Sequence, residues 1–219
     1  MSRLIPATRG ALAGLPVEVA PRLLGGVLRT RIDQVTVAVR LTEVEAYHGR
    51  GTGERPDPGS HARMGPTARN ATMWGEPGHL YVYLSHGIHS CVNVVCGLAG
   101  VAGGVLLRAG EVVQGEHAAT ARRPAARSAR ELARGPGNLG AAVGLRHPVH
   151  DGIDAVSGIP QARAIARLEL PDEPLADVAT GPRVGVAGRA GTAAFPWRFW
   201  IAGDPTVSPF RWGRGAADA

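Results

Sequence analysis

Val35-Thr36-Val37-Ala38-Val39-Arg40-Leu41 alternates apolar and polar residues with period two and runs directly into Thr42-Glu43-Val44-Glu45-Ala46-Tyr47. Such alternation marks a half-buried β-strand. Counting onward, Val35, Val37, Val39 and Leu41 share a parity with Glu43, Glu45 and Tyr47. If the strand persists, two carboxylates and a phenol point the same way as the core. A carboxylate leaving a core face is partly desolvated, which suits it to general-base work. In the competing reading the strand ends at Leu41, and both glutamates are solvated or one pairs with an arginine.

The chain around this strand has 219 residues, enough for one sizeable core. Residues 15–212 read as a single domain, 1–14 as a flexible lead-in and 213–219 as a frayed tail. Thirty-one glycines and seventeen prolines imply turns and long loops rather than a helical bundle. A net charge of +6 favours a polyanionic partner such as nucleic acid. No lysine is present, so all 24 basic residues are arginine and only the N-terminal amine could form a Schiff base. Two cysteines, Cys91 and Cys96, make no disulfide framework and fit a reducing cytosol. There is no signal-peptide apolar core and no apolar run long enough to cross a bilayer, so the expectation is a soluble cytoplasmic protein without membrane contact.

Along the chain, Leu15 to Leu28 carries apolar residues at helical spacing, with Gly25-Gly26 as a break near its end. Residues 48–78 form a long loop bearing His61, Arg63, Arg69 and Asn70. His79–Leu84 reads as a strand with Tyr81 and Tyr83 on one face, Ser85-His86-Gly87 as a turn, and Ile88–Cys96 as the returning strand of a hairpin. Gly103–Ala109 is a further strand. Residues 111–134 predict a helix, or two interrupted at Pro124, with Arg122, Arg123, Arg127, Arg130 and Arg134 spread around it; they make either a solvated face or phosphate contacts. Leu139–Val143 predicts a short helix, and Ala164–Leu170 and Trp197–Ile201 predict strands. Together these give an α+β domain around a mostly antiparallel, curved β-sheet, with peripheral helices and a protruding β-hairpin.

Three chemistries compete for these residues. His79, His86, His89, Cys91 and Cys96 are zinc-type ligands, but they lack the regular Cys-x-x-Cys or His-x-x-x-His spacing of a closed site, so no metal is expected. No Gly-x-Ser-x-Gly elbow is present, and both cysteines sit in strand patterns, which argues against nucleophilic catalysis. Acid–base hydrolysis on a nucleic acid remains: Glu45 to activate water, Arg108 to fix it, and Tyr47, His61 and Tyr83 to sandwich a flat ring. Taken singly, Tyr81 and Tyr83 also suit ordinary cross-strand packing and His61 an ordinary loop.

Thr42–Tyr47, Ser60-His61-Ala62, Thr67-Ala68-Arg69-Asn70, Met73-Trp74, Pro77–Tyr83, Gly87-Ile88-His89, Cys91-Val92-Asn93 and Val105–Ala109 stand in an order that resembles the alkyladenine (3-methyladenine, N-methylpurine) DNA glycosylase family. The likeness continues through Gly135–Leu139 and Gly181–Val186, covering most of residues 15–205. The resemblance implies a monofunctional, metal-free and cofactor-free monomer acting on double-stranded DNA with damaged purines. In a bacterial cell that substrate would lie in the nucleoid. By position, Glu45 matches the general base and Arg108 the water-positioning arginine. Tyr47, His61 and Tyr83 match the walls that stack on a flipped base, and Asn93 the residue that discriminates against guanine. Arg63 and Arg69 are candidate contacts to the DNA backbone. The alternative is a binder with the same pocket that recognises damage, or a bulky adduct, without cutting.

Two departures stand out. Where the family inserts a tyrosine into the duplex, this chain has Ser85-His86-Gly87, so His86 is the expected wedge, a smaller flat ring that titrates near neutral pH. The segment His48–Gly59 is also longer than is usual in the family and rich in glycine and proline.

Overall fold

The alternating stretch does not stop at Leu41; it continues as one strand from Val35 to His48. The computed structural model describes residues 3–50, 52 and 56–216. In chain order it begins with β1 (Leu4–Pro6), α1 (Arg9–Leu12), α2 (Pro16–Leu23), β2 (Val27–Ile32) and β3 (Val35–His48). After the long loop come the hairpin β4 (His79–Ser85) and β5 (His89–Val95), then β6 (Gly103–Gln114), α3 (Glu116–Arg122), β7 (Ala133–Arg134) and α4 (Pro136–Val143). The chain closes with β8 (Ile153–Asp154), β9 (Ala164–Pro171), β10 (Val178–Gly181) and β11 (Arg198–Ile201). Among the described residues the strands form one curled sheet in the order β1-β9-β2-β3-β6-β5-β4-β8, with β7 on β6 and the β10–β11 pair on β3. Every pairing between named strands is antiparallel. The α+β architecture read from the sequence is the one observed.

The alternation along β3 does not keep one parity to its end. Leu41 pairs with Gly110, Glu43 with Ala109 and Val44 with Leu107, so Thr42 is an extra residue on β3 and Arg108 an extra residue on β6. A bulge of this kind shifts the alternation by one. Core residues accordingly run Val37, Val39, Leu41 and then Val44, Ala46. Glu43, Glu45 and Tyr47 therefore leave the core side and face the opposite surface of the sheet. The bulge lies where the neighbour on the other edge changes from β2, paired through Arg40, to β11, paired at Glu43–Glu45.

Other boundaries also differ. The helix predicted to Leu28 stops at Leu23, because Gly25 takes a positive φ (77°) and Val27 and Leu28 enter β2. The strand predicted to end at Ala109 runs on to Gln114, and only Glu116–Arg122 of the arginine-rich stretch is α-helical, with a 3-10 turn at Ala129–Glu131. The expected flexible lead-in is structured from β1 onward: Leu4–Pro6 pairs with β9, Leu12 is buried, and Arg9 makes a bidentate contact with Asp154. At the other end Gly188 N–H donates to Arg214 and Ala216 is buried; residues 217–219 lie outside the described residues.

Helices α2, α3 and α4 cover one face of the sheet around a core that includes Leu23, Leu28, Val44, Val92, Leu107 and Leu139. Helix α4 approaches β5 closely: a Cβ on Gly137 would lie 2.8 Å from His89 Cβ, and one on Gly140 would lie 2.0 Å from Ser90 O. Glycine at these two places lets the helix brace the hairpin, whose tip residues His86–His89 are exposed.

Candidate active site

Register alone assembles the site. Tyr81 pairs with Asn93, Asn93 with Leu106, Leu106 with Glu45 and Glu45 with Arg198. Residues directly opposite across a sheet share a face, so this row crosses five strands on the side away from the main core. Two residues along β4 from Tyr81, Tyr83 joins the same face.

The floor is a buried charge network. Glu43, with no exposed surface, accepts from Arg108 Nε (2.9 Å), Arg198 Nε (2.7 Å) and Ser208 N–H (2.8 Å). Burial pushes the Glu43 carboxyl up, but the Arg108 and Arg198 guanidiniums and the Ser208 hydrogen bonds outweigh it and hold the group below its ordinary value. Arg108 is thereby fixed with Nη1 3.4 Å from Glu45 Oε1. Burial works against the Arg108 charge, and the Glu45 and Glu43 carboxylates more than restore it, so this guanidinium stays charged. Glu45 accepts from Val184 N–H (2.7 Å) on Oε1 and from Tyr47 Oη–H (2.8 Å) on Oε2. The glutamates are thus neither solvated nor unpaired.

Above the floor are two adjoining cavities. The inner one, about 190 Å³, is lined by Tyr47, Gly59, His61, Met73, Tyr81, Tyr83, Asn93 and Val186. The outer one, about 430 Å³, shares Tyr47 and Tyr83 and extends past Cys91, Leu106, Arg108 and Val184 to His86. The Glu45 carboxylate sits immediately behind this lining, against Tyr47, Arg108 and Val184. Inside, Tyr81 stacks on Tyr83 (centroids 5.4 Å, 21°), and the His61 ring meets Tyr83 edge-on (4.7 Å, 89°). His61 is open to solvent on its outer side, but the desolvation of its ring among the pocket residues and then the charges of Arg69 and Arg63 hold the imidazole below its ordinary value, so the wall it offers is neutral. Burial pushes Tyr81 up to about 12 and lifts Tyr83 and Tyr47 as well, leaving all three phenols protonated. Burial likewise raises the Cys91 thiol, which keeps it from the thiolate form a nucleophile needs.

The structure thus brings together Glu45, Arg108, Tyr47, His61, Tyr83 and Asn93. Asn93 Nδ2 donates to Tyr81 O at 3.2 Å. The loop that carries His61 is tied by Asn70, whose side chain donates to His61 O and Gly65 O and accepts from Thr67 N–H. Arg63 and Arg69 lie exposed on this loop, with Arg63 anchored to Ser60 O. His86 stands apart at the exposed hairpin tip, with φ 49° followed by Gly87 at 71°, the mirror-image turn that suits strand twist. Part of the long His48–Gly59 segment, residues 51 and 53–55, falls outside the described residues. Cys91 lines the outer cavity whereas Cys96 is in the main core, and no cluster of three or more metal-ligating groups occurs among the described residues.

Several functional neighbours escaped sequence reasoning. Tyr81 shares the pocket with Tyr83, as their common parity allowed. Arg183 is completely buried: it forms a bidentate pair with Asp57 (2.7 and 2.8 Å) and stacks on Tyr47 at 4.4 Å. Asp57 also accepts from His48 N–H and Gly59 N–H, so one carboxylate joins β3, the 56–61 wall and the Tyr47 ring. No spacing signal pointed to this pair, which joins residues 126 positions apart.

The methylpurine-DNA glycosylase family model matches residues 11–205, and the chain belongs to that family. It is 49% identical over 207 residues to a protein of Leifsonia xyli (93% of this chain, 92% of the relative). It is 51% identical over 197 residues to one of Nocardia farcinica (90% and 87%), and 46% identical over 206 residues to one of Streptomyces avermitilis (94% and 92%). All three relatives carry the name "Putative 3-methyladenine DNA glycosylase".

Proposed function

We propose that the protein releases alkylated or deaminated purines (3-methyladenine, 7-methylguanine, hypoxanthine or ethenoadenine) from duplex DNA by hydrolysing the N-glycosidic bond, so beginning base excision repair. The observation that carries this reading is the buried Glu45–Arg108 pair set directly against an aromatic cavity. A damaged purine stacks and pairs poorly, so turning it out of the helix costs less than turning out a normal base, by up to a few kcal/mol. Tyr47, His61 and Tyr83 receive it, joined by Tyr81. A purine made cationic by alkylation is drawn to electron-rich ring faces, and a neutral His61 adds no opposing charge. Asn93 at the cavity wall selects among bases.

Water then attacks the anomeric carbon, Glu45 takes its proton, and Arg108 fixes the water and keeps the carboxylate in place. The bond's electron pair leaves with the purine: a cationic alkylated base departs neutral, whereas neutral hypoxanthine or ethenoadenine must also take up a proton, supplied by water, as it leaves. Without a lysine, the chain has no side-chain amine for strand cleavage through a Schiff base, and direct attack by water leaves an intact abasic strand. The protein works as a monomer without metal or cofactor. His86 fills the space left by the extruded base, and Arg63 and Arg69 contact the backbone.

The test is single-turnover release of base from duplexes carrying one lesion each, comparing the parent with Glu45→Gln. Release by the parent, loss by a factor of about 10²–10⁴ in the variant, and a strand that breaks only on alkaline treatment are expected. Tight, selective binding with no release from any lesion would replace this reading with that of a damage reader.

A further inference from the structure

A third cavity, of about 360 Å³, lies between the hairpin and α4 and is lined in part by Ile88, His89, Arg122, Arg146 and His147. It adjoins the outer catalytic cavity through His89 and Gly137, which belong to both. The close packing of α4 on β5 at Gly137 makes that shared wall rigid. The groove's charge is one-sided. Neither Arg122 nor Arg146 has a carboxylate within ion-pair distance among the described residues, while Arg9, Arg40, Arg108, Arg183 and Arg198 all do.

Arg122 is also held in place. Its Nη1 donates to Ala142 O at 2.9 Å, and its guanidinium packs where a Cβ on Gly144 would come within 2.8 Å of Cζ. The wall opposite is pinned to the hairpin, with His147 N–H donating to Ser90 Oγ (3.0 Å) and the His147 Nδ1 contacting Val82 O (2.8 Å). Burial, and then the like charge of Arg146, draw Arg122 below its ordinary value.

We infer that this groove seats backbone phosphates of the duplex whose damaged base enters the neighbouring cavity, with Arg122 and Arg146 as the contacts. The inference rests on the DNA reading above and adds a second anchor on the far side of the hairpin from Arg63 and Arg69. A nucleic-acid strand carries a phosphate every ~3.4 Å along the axis, so a duplex engaged by the exposed tip at His86–Ile88 brings phosphates to the groove beside it. Fixed guanidiniums suit that task, since the planar fork matches phosphate oxygens. The arginines that sequence patterning left between a solvated face and phosphate contact divide here: Arg122 turns into the groove, whereas Arg127 pairs with Glu131.

The test measures binding of the full chain to undamaged duplex across a salt series, for the parent, Arg146→Glu, Arg122→Gln and Arg163→Glu. Arg146 and Arg163 are both exposed, so the two reversals make the same change in net charge without disturbing the core. Arg146→Glu is expected to bind about tenfold more weakly, with a log–log salt slope shallower by about 1. Arg122→Gln should move in the same direction, and Arg163→Glu should stay within about twofold of the parent. Base release by Arg163→Glu at saturating protein should match the parent. Equal losses in Arg146→Glu and Arg163→Glu, or no change in either slope, would overturn the groove. Normal excision with no groove effect would leave the glycosylase reading standing alone. A groove effect in a parent that releases no base would do the reverse.

Discussion

The floor and the wall of the site are built on opposite principles. The floor is ionic: Glu43, Glu45, Arg108 and Arg198 are buried and mutually paired, with their separations set by β3, β6 and β11. The wall is aromatic and uncharged, and part of it, Gly59 and His61, comes from the 56–70 loop rather than from the sheet. The floor should therefore determine how fast any admitted base is cut, and the wall which base is admitted. Changes to the floor should lower release from every lesion by a similar factor, while changes to the wall should separate cationic from neutral lesions.

The largest effect belongs to Glu45→Gln: about 10²–10⁴ in single-turnover rate, alike for 3-methyladenine-type and hypoxanthine substrates, with little change in duplex affinity. A loss confined to one lesion class would erase the division between floor and wall. Next comes Glu43, a positioning residue that touches no substrate. Glu43→Gln leaves Arg108 and Arg198 buried with one negative charge fewer, and breaking such a pair costs about 3–5 kcal/mol of stability. For a domain of this size that is a fall in Tm of roughly 6–20 °C. Because Arg108 also loses its anchor, release should slow even where the variant is fully folded, and Glu43→Asp should recover part of both losses. A slow, folded variant that Glu43→Asp does not improve would remove Glu43 from the positioning role.

The wall should show smaller, selective effects. Tyr83→Leu removes the ring that stacks on Tyr81 and meets His61, whereas Tyr83→Phe keeps it. A desolvated cation–π contact is worth ~2 kcal/mol, so Leu should cost cationic lesions up to about thirtyfold more than neutral ones, and Phe almost nothing. Acid acts on the same wall and on stability. His48, His61 and His150 are all held below the ordinary imidazole value, burial being the first cause in each. The unfolded chain takes up protons near pH ~6.5 while the folded chain resists. Stability present above that pH is thus lost as the pH falls through and below it. Melting at pH 5.5 should lie below melting at pH 7.5, with a smaller gap in His61→Asn; an unchanged gap would exclude His61 from this proton linkage.

The sequence carried the sheet and much of the pocket because both are local in origin. Period-two patterns mark β3, β4 and β5, and the shared parity of Tyr81 and Tyr83 survives in the structure because no bulge interrupts β4. The parity of Glu43, Glu45 and Tyr47 with the core did not survive, since the Thr42 bulge depends on a partner, β6, that the local pattern does not contain. The Asp57–Arg183 pair was hidden for a similar reason: a buried bidentate contact between distant loops leaves no periodicity. Nor did the lead-in reveal itself, because Leu4–Pro6 is ordered only by lying beside β9.

The smallest effect tests where the wall meets the duplex. His86 lies outside both floor and wall, yet it borders the outer cavity at the tip of a hairpin that α4 braces. Its positive φ limits the choice of variant, since a branched residue would strain the turn, whereas asparagine tolerates that conformation. His86→Asn therefore removes the ring and keeps the backbone. If the ring holds open the gap left by an extruded base, release from duplex should fall by about fivefold, the lower end of the ~1–3 kcal/mol that one stacked base contributes. Release from a single strand bearing the same lesion should not change, because no gap exists there. His86→Tyr, with a longer ring at the same place, should raise duplex release above the parent. Equal losses on single and double strands would mean that residue 86 acts on the cavity, and would extend the wall to the hairpin tip.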